Sequence, residues 1–412
     1  MRQTYTDAKT KSNRFSYILL SIGLLFYLFF ALYDGVYIAV DSPTYIEMSI
    51  TREALYPMYL ACFRFLHTVL PLPYDYLQSA VMGQSILAAV AAWHITMKFH
   101  KECNLNRMFT SFLFCIPLAV SLLNRFVAQR ASMYTNSILT EGMTLSLYLL
   151  FFSYLISYVL HHQRKDFIIC CVFSGIMIGM RSQMLMTLCL LILATIIVSI
   201  ACKQYKKGCL QILMGCIAIF ASISLIECTY NYVIRDEFVR HTSSNRFIMT
   251  MIFYTADRED AAYIPVEEYQ DLFQEIYDIC DENGYLMTAS GNGWYEEVCH
   301  FGDHYDHIQI DTMWPMISDY ASKHSENGSD TNLLTDDITA VMISSLLPHV
   351  AFDVIHVLYN NFLSGLVTTI AQRTPILVLY SILAYMGYLA LLVYYFVKCK
   401  KCKWDSISTI CI

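Results

Sequence analysis

Charge is what this sequence lacks. Only 15% of its 412 residues are Asp, Glu, Lys or Arg, against about 25% in a soluble globular domain. By contrast 56% are hydrophobic, and the mean hydropathy is +0.45. That deficit excludes a cytosolic enzyme. The apolar residues fall in long runs, which also excludes a coiled coil and a disordered chain. No internal repeat and no low-complexity tract breaks the pattern. The chain reads as an all-α polytopic membrane protein.

Basic residues are scarcest between positions 229 and 340, where 22 acidic residues face five basic ones, Arg235, Arg240, Arg246, Arg258 and Lys323. The net charge of −7 therefore divides into −17 for this stretch and +10 for the remainder. An acidic, water-facing module joined to a basic membrane part argues against nucleic acid as a partner. Only Cys228, Cys280 and Cys299 of the 15 cysteines border or lie in the module. That is too few for a disulfide scaffold, and one bond at most is expected, Cys280–Cys299. The other cysteines lie in or near apolar runs and read as small hydrophobes.

A bilayer core about 30 Å thick needs roughly 20 apolar residues to cross it as a helix. Candidate spans are 15–40, 77–99, 108–123, 135–160, 167–180, 184–202, 209–228 and 375–397. The first is too long for a signal peptide and lacks a small-residue cleavage site, so it reads as retained. The fifth and sixth form a tight hairpin with Arg181 at its tip. Five basic clusters set the orientation: Arg2 to Arg14, Lys98 to Arg107, Arg164 with Lys165, Lys203 to Lys207, and Lys398 to Lys403. With about eight spans all five fall on one side, which the positive-inside rule makes cytoplasmic, as are both termini. The apolar stretch 338–370 holds Pro348, His349, Asp353 and His356. It is expected as an interfacial helix or a re-entrant pair. The predicted domains are a membrane region 1–228, a mostly helical extracytoplasmic module 229–340, and a part 341–412 with the last span and a basic tail. The predicted location is the cell membrane.

The residues able to carry chemistry gather on the outer side. The first outer loop contains Asp41, Tyr45, Glu47, Arg52, Glu53, Tyr56 and Pro57. An acidic residue at the membrane surface can take a proton from a hydroxyl while a lipid-borne substrate lies alongside. Asp41-Ser42-Pro43 also serves as an ordinary helix start. Glu141 opens the fourth span, where its carboxylate can cap the helix. Arg181 ends the fifth span, where a snorkelling arginine is the simpler alternative. Arg125 and Arg130 lie on the outer face, where lipid headgroups would also hold them.

Asp41-Ser42 with Tyr45, followed by Arg52, Tyr56-Pro57 and Leu60, resembles the first-loop region of the GT-C superfamily of glycosyltransferases. That superfamily includes the dolichyl-phosphate-mannose protein mannosyltransferases and the bacterial aminoarabinose transferases acting on lipid A. Thr140-Glu141 resembles the Thr-Glu pair that opens the fourth span in relatives. Gly175, Gly179 and Arg181 resemble the small-residue span ending in arginine that follows. The resemblance covers roughly residues 15–200 and lies in order and topology. The sequence departs from the pattern in having no Asp-Glu pair after the first span, since Glu47 and Glu53 are offset.

The resemblance implies an enzyme that moves a sugar from a polyprenyl-phosphate donor to an acceptor hydroxyl of a glycan, lipid or protein in the cell envelope. Asp41 would be the general base, with inversion at the anomeric carbon. Arg52 and Arg181 would clamp the donor phosphate, because guanidinium forks match phosphate. Tyr45, Glu47, Glu53, Tyr56, Glu141, Arg125 and Arg130 would support them. Two other classes fit the same sequence: an O-antigen-type polymerase or ligase, and a transporter or flippase of lipid-linked sugars. The near absence of charge inside spans one to seven speaks against transport.

Three further motifs stand outside this scheme. His300, His304 and His307 have i,i+4 and i,i+3 spacing, which on a helix could hold a divalent metal. Cys399 and Cys402 form a lone CxxC on the basic tail, and a second pair is missing. Asn327-Gly328-Ser329 is a glycosylation acceptor sequence on the outer side.

Overall fold

The computed structural model describes residues 2–70, 73–127, 132–291, 293–325 and 328–368, with isolated helical residues between 379 and 390. Side chains are described from Arg14 onward except at 123–124, 126–127, 328–330 and 366–368. Among the described residues there is no sheet, only an isolated bridge between Tyr37 and Ser137. Among the described residues, six helices are long and apolar enough to cross a membrane. The chain divides into two compact units, the first ending at His241 and the second starting at Thr242.

The first unit opens with α1 (Arg2–Tyr33), the short α2 (Ser42–Ile46) and α3 (Leu55–Val69). It continues with α4 (Tyr76–Glu102), α5 (Arg107–Val127), α6 (Glu141–His161), α7 (Arg164–Met180), α8 (Met186–Ala201) and α9 (Tyr205–Arg235). Helix α4 is central. It packs against α1, α3, α5 and α6, while α7 packs on α6 and α9. Small residues permit this: Ala80, Ala88, Ala89, Ala91 and Ala92 of α4 are all buried.

Side-chain contacts fix the up-and-down order. Arg125 near the end of α5 bonds Asp34 just after α1, and Arg181 after α7 bonds Glu141 at the start of α6. At the opposite end, Glu102 of α4 bonds His161 of α6, and Arg107 of α5 lies over Phe15 of α1. The basic residues at the end of α4 and the start of α5 thus lie with the end of α6 and the start of α1.

Several boundaries differ from the sequence reading. Helix α1 stops at Tyr33 and not at residue 40, because Gly35 takes a left-handed φ of +70° and turns the chain into an extended segment. Residues 135–140 precede α6 as a 3-10 turn and extended chain. The segment 55–69, assigned to no span, is helix α3, about 22 Å long and too short to cross. The candidate span 375–397 lies almost wholly outside the described residues.

Gln84, buried inside α4, holds the two connectors together. Its amide donates to the carbonyls of Thr135 and Ser137, and its carbonyl accepts from the Tyr56 hydroxyl at 3.0 Å. Asn136 in turn donates to the carbonyls of Phe30 and Gly35, closing the end of α1. A polar residue buried in a span must be fully satisfied. Here that requirement ties α3 and the 133–140 connector to α4.

The second unit contains α10 (Arg246–Thr255), α11 (Glu267–Glu282), α12 (Trp294–Asp306), a π-helical stretch His307–Met313, α13 (Trp314–His324) and α14 (Gly328–Thr368). The segment 229–241 belongs with the first unit, so this unit begins later than position 229. Its core joins Ile252 and Phe253 of α10, Phe273 and Ile276 of α11 and Ile317 of α13 to one stripe of α14. That stripe is Ile338, Met342, Leu346, Val350, Val354 and Val357, spaced by three or four residues.

The stretch 338–370 is thus not a re-entrant pair. Up to Thr368 it is part of one continuous helix that runs through Pro348, and residues 331–365 are long and apolar enough to span. Two of the polar residues that suggested an interfacial segment have partners. His349 stacks on Tyr263 with ring centroids 3.5 Å apart, and His356 bonds Glu297 at 2.9 Å. Cys280 and Cys299 are both free thiols, which corrects the expected disulfide. Cys280 is buried in the apolar core of the second unit, where it packs as a small hydrophobe.

Candidate functional site

The candidate residues of the first outer loop meet at the end of the first unit opposite the basic loops. Asp41 precedes α2, with Pro43 in that helix's first turn. The chain then reverses at Met48, which adopts a left-handed φ of 58°, and returns toward α3. The reversal brings Arg52 back to Asp41: the guanidinium donates to the Asp41 carboxylate at 2.7 Å and to the Thr44 hydroxyl at 2.8 Å. Its carbon centre lies 4.8 Å from the centre of the Tyr45 ring. Asp41 is 60% exposed and Arg52 only 25%, so the carboxylate faces solvent while the cation is held beneath it.

Tyr45 links this loop to the helix ends. It is buried, edge-on to Tyr56, at 5.2 Å between ring centres. Burial pushes its phenol above the ordinary value; Arg52 opposes the rise, and Glu53 and Glu141 add to it. Tyr45 is therefore a neutral hydrogen-bonding group at physiological pH. Glu53 accepts the Ser182 backbone N–H at 2.8 Å, fixing α3 to the turn after α7. Beside it, Arg181 donates to Glu141, and through Nε to Gln183 at 2.6 Å. The Gly179 of the small-residue span has Leu55 of α3 and Ile223 of α9 against it, and Gly175 faces Ile219 of α9. Those glycines let α7 seat closely enough for Ser182 to reach Glu53.

Asp41, Tyr45, Arg52 and Tyr56 form one group, Glu141 and Arg181 another, and the Glu53 bond to the Ser182 N–H links the two. Glu47 ends α2 with its side chain exposed. Arg125 does something else: it forms a fork on Asp34, whose carboxylate is only 2% exposed, with contacts of 2.8–3.2 Å. Arg130, Cys399, Cys402 and Asn327 lie outside the described residues.

The three histidines do not form a metal centre. His300 bonds the Tyr254 hydroxyl through Nδ1 and the Gly284 carbonyl through Nε2, which occupies both nitrogens. His304 and His307 both stack on the Tyr285 ring, at 5.1 and 5.3 Å, and His307 bonds Asp311. Burial, and then the neighbouring His300 and His307, push His304 below its ordinary value. Among the described residues no group of three His, Cys, Asp or Glu side chains is arranged to hold a metal ion.

Sequence reasoning overlooked a second polar knot at the same end. Glu227, inside α9 and 2% exposed, accepts from Arg240 at 3.0 Å and pairs with His241 at 3.1 Å. Burial disfavours the charged imidazole, but the Glu227 carboxylate outweighs it, and His241 is held above its ordinary value. Glu53 adds to that rise, so this knot lies within electrostatic reach of the Asp41 cluster. The available signal was a lone carboxylate in an apolar run.

Compared with protein-family models, with curated proteins and with solved structures, the chain matches none.

Proposed function

We propose that the chain is an integral-membrane glycosyltransferase that moves a sugar from a polyprenyl-phosphate donor to an acceptor hydroxyl on the extracytoplasmic face. The observation that carries this reading is the connected cluster itself. Loop 41–56, the start of α6 and the end of α7 contribute a solvent-facing carboxylate and two guanidiniums to one surface. Asp41, 60% exposed, is open to an acceptor hydroxyl while it stays paired with Arg52.

In this mechanism Asp41 removes the proton from the acceptor hydroxyl. The oxygen attacks the anomeric carbon from the face opposite the phosphate, and the bond between that carbon and the phosphate oxygen breaks. Its electron pair leaves with polyprenyl phosphate. Arg52 and Arg181 stabilise the charge that grows on this leaving group. Both begin paired with carboxylates, Asp41 and Glu141. An incoming phosphate competes for Arg52, and its capture releases Asp41 to act as base. Donor binding thereby switches on the base.

The test uses the full chain in vesicles with polyprenyl-phosphate sugars as donors, measuring release of polyprenyl phosphate. Asp41→Asn keeps size and hydrogen bonding but removes the proton acceptor. Turnover should drop by about 10²–10⁴, with donor binding retained. Turnover within tenfold of the unmodified protein would sink the assignment.

A further inference from the structure

A cavity lies at the opposite end of the first unit, among the basic loops. It has a volume of about 460 Å³ and is lined by residues of α4, α6 and α7 and the connector between the last two. That volume falls in the range of about 300–1,000 Å³ common for small-ligand sites. Its inner wall is aromatic, with His94 and Tyr154 stacked at 5.2 Å.

The charges around it are unequally satisfied. Glu102 is neutralised by His161 at 2.9 Å and Lys98 at 3.5 Å. Asp166, 3% exposed, accepts from the Ser157 hydroxyl at 3.0 Å, and Ser157 accepts from Lys98 at 2.8 Å. Both carboxylates and Lys98 are thus committed to one another. Lys101 and Lys165 also line the cavity, are exposed, and have no ion-pair partner among the described residues. The start of α7 lies here too, and its peptide dipoles present their positive end. Two uncommitted ammonium groups over a preformed polar cavity call for an anion.

We propose that this cavity binds a phosphate monoester or diester, held by Lys101 and Lys165. The basic side of a membrane protein faces the leaflet rich in anionic lipid. The phosphate of an anionic phospholipid headgroup and that of a small soluble compound share this chemistry. Ser157, Lys98 and Asp166 line the cavity already bonded to one another, so this part of the site is preorganised.

The experiment measures the thermal unfolding midpoint of the full chain in neutral detergent, with phosphatidylglycerol, phosphatidylcholine or inorganic phosphate added. Ligand that binds only the folded state raises the midpoint, by about 2–4 °C for a protein of this size at saturation. Phosphatidylglycerol should give this rise and phosphatidylcholine should not. Lys101→Gln combined with Lys165→Gln should cut it to less than a third. Lys206→Gln with Lys207→Gln, basic residues on the same side that do not line the cavity, should leave it intact. A rise with inorganic phosphate that the Lys101 and Lys165 pair abolishes identifies a soluble ligand at the same site. The proposal is overturned if neither addition raises the midpoint, if the Lys101 and Lys165 pair keeps the full rise, or if the control pair loses it equally.

Discussion

The Asp41–Arg52 pair and the Lys98 network at the basic end of the first unit hold charge in opposite ways. In the pair, a carboxylate is left open to solvent above its arginine. In the network, at the ends of α4, α6 and α7, the carboxylates of Glu102 and Asp166 are enclosed while Lys101 and Lys165 stay exposed. An exposed ion pair holds by only about 0–1 kcal/mol and exchanges partners readily. A buried, hydrogen-bonded group resists exchange, because leaving it unpaired is costly. The Asp41 pair is therefore free to exchange partners, and the Lys98 network is not.

That contrast can be broken by mutation, and the largest effect is expected at the outer end. Arg181→Ala should weaken donor binding by about tenfold or more, the worth of one charge-assisted contact to phosphate. Removing Lys101 and Lys165 should leave transfer rates within twofold. Equal losses from both, read from donor-concentration curves, would mean the two ends do not have separate tasks.

A smaller effect tests the scaffold beneath the outer cluster. A Cβ on Gly142 would meet the Gln84 carbonyl oxygen at 2.7 Å, so Gly142→Ala must disturb the amide that ties the connectors together. The expected cost is about 1–3 kcal/mol, seen as an earlier denaturation midpoint. Gly179→Leu forces a larger group into the space held by Leu55 and should lower folded yield more than the activity of the protein that survives. Normal yield would refute a packing role for that glycine.

The smallest effect concerns pH. His241 is held above its ordinary value by Glu227, so the stabilisation is fully present below about pH 6.5 and fades as pH rises through the folded-state value. The unfolding midpoint should fall by about 1–2 °C more between pH 6 and pH 9 in the unmodified chain than in His241→Gln. Identical profiles would remove His241 from the knot. The groups around it are Glu227, Arg240 and Glu53.

How far the sequence could be read follows the same division. The outer loop was legible because polar residues stand out between apolar runs, and Asp41, Arg52, Glu141 and Arg181 are such residues. Lys98, Lys101 and Lys165 were read only as orientation signals, since positive charge beside a span has that meaning wherever it occurs. Gln84 and Glu227 were hidden because hydropathy averaged over a window absorbs one polar residue among many apolar ones. The histidines misled for a different reason. Spacing predicts which side chains share a helix face, but Tyr254, Gly284, Tyr285 and Asp311, which engage them, come from elsewhere or from a π turn that spacing does not reveal.

The single helix Gly328–Thr368 also sets the order of assembly. Six residues of one stripe of α14 complete the core that α10, α11 and α13 begin. The ribosome makes those three helices first, so they wait, with apolar faces uncovered, until α14 has been synthesised. The stripe from Ile338 to Val357 closes their core, and the opposite face of its second half carries exposed Phe352, Ile355, Tyr359 and Phe362. The core of the second unit therefore closes only after α14 has been made.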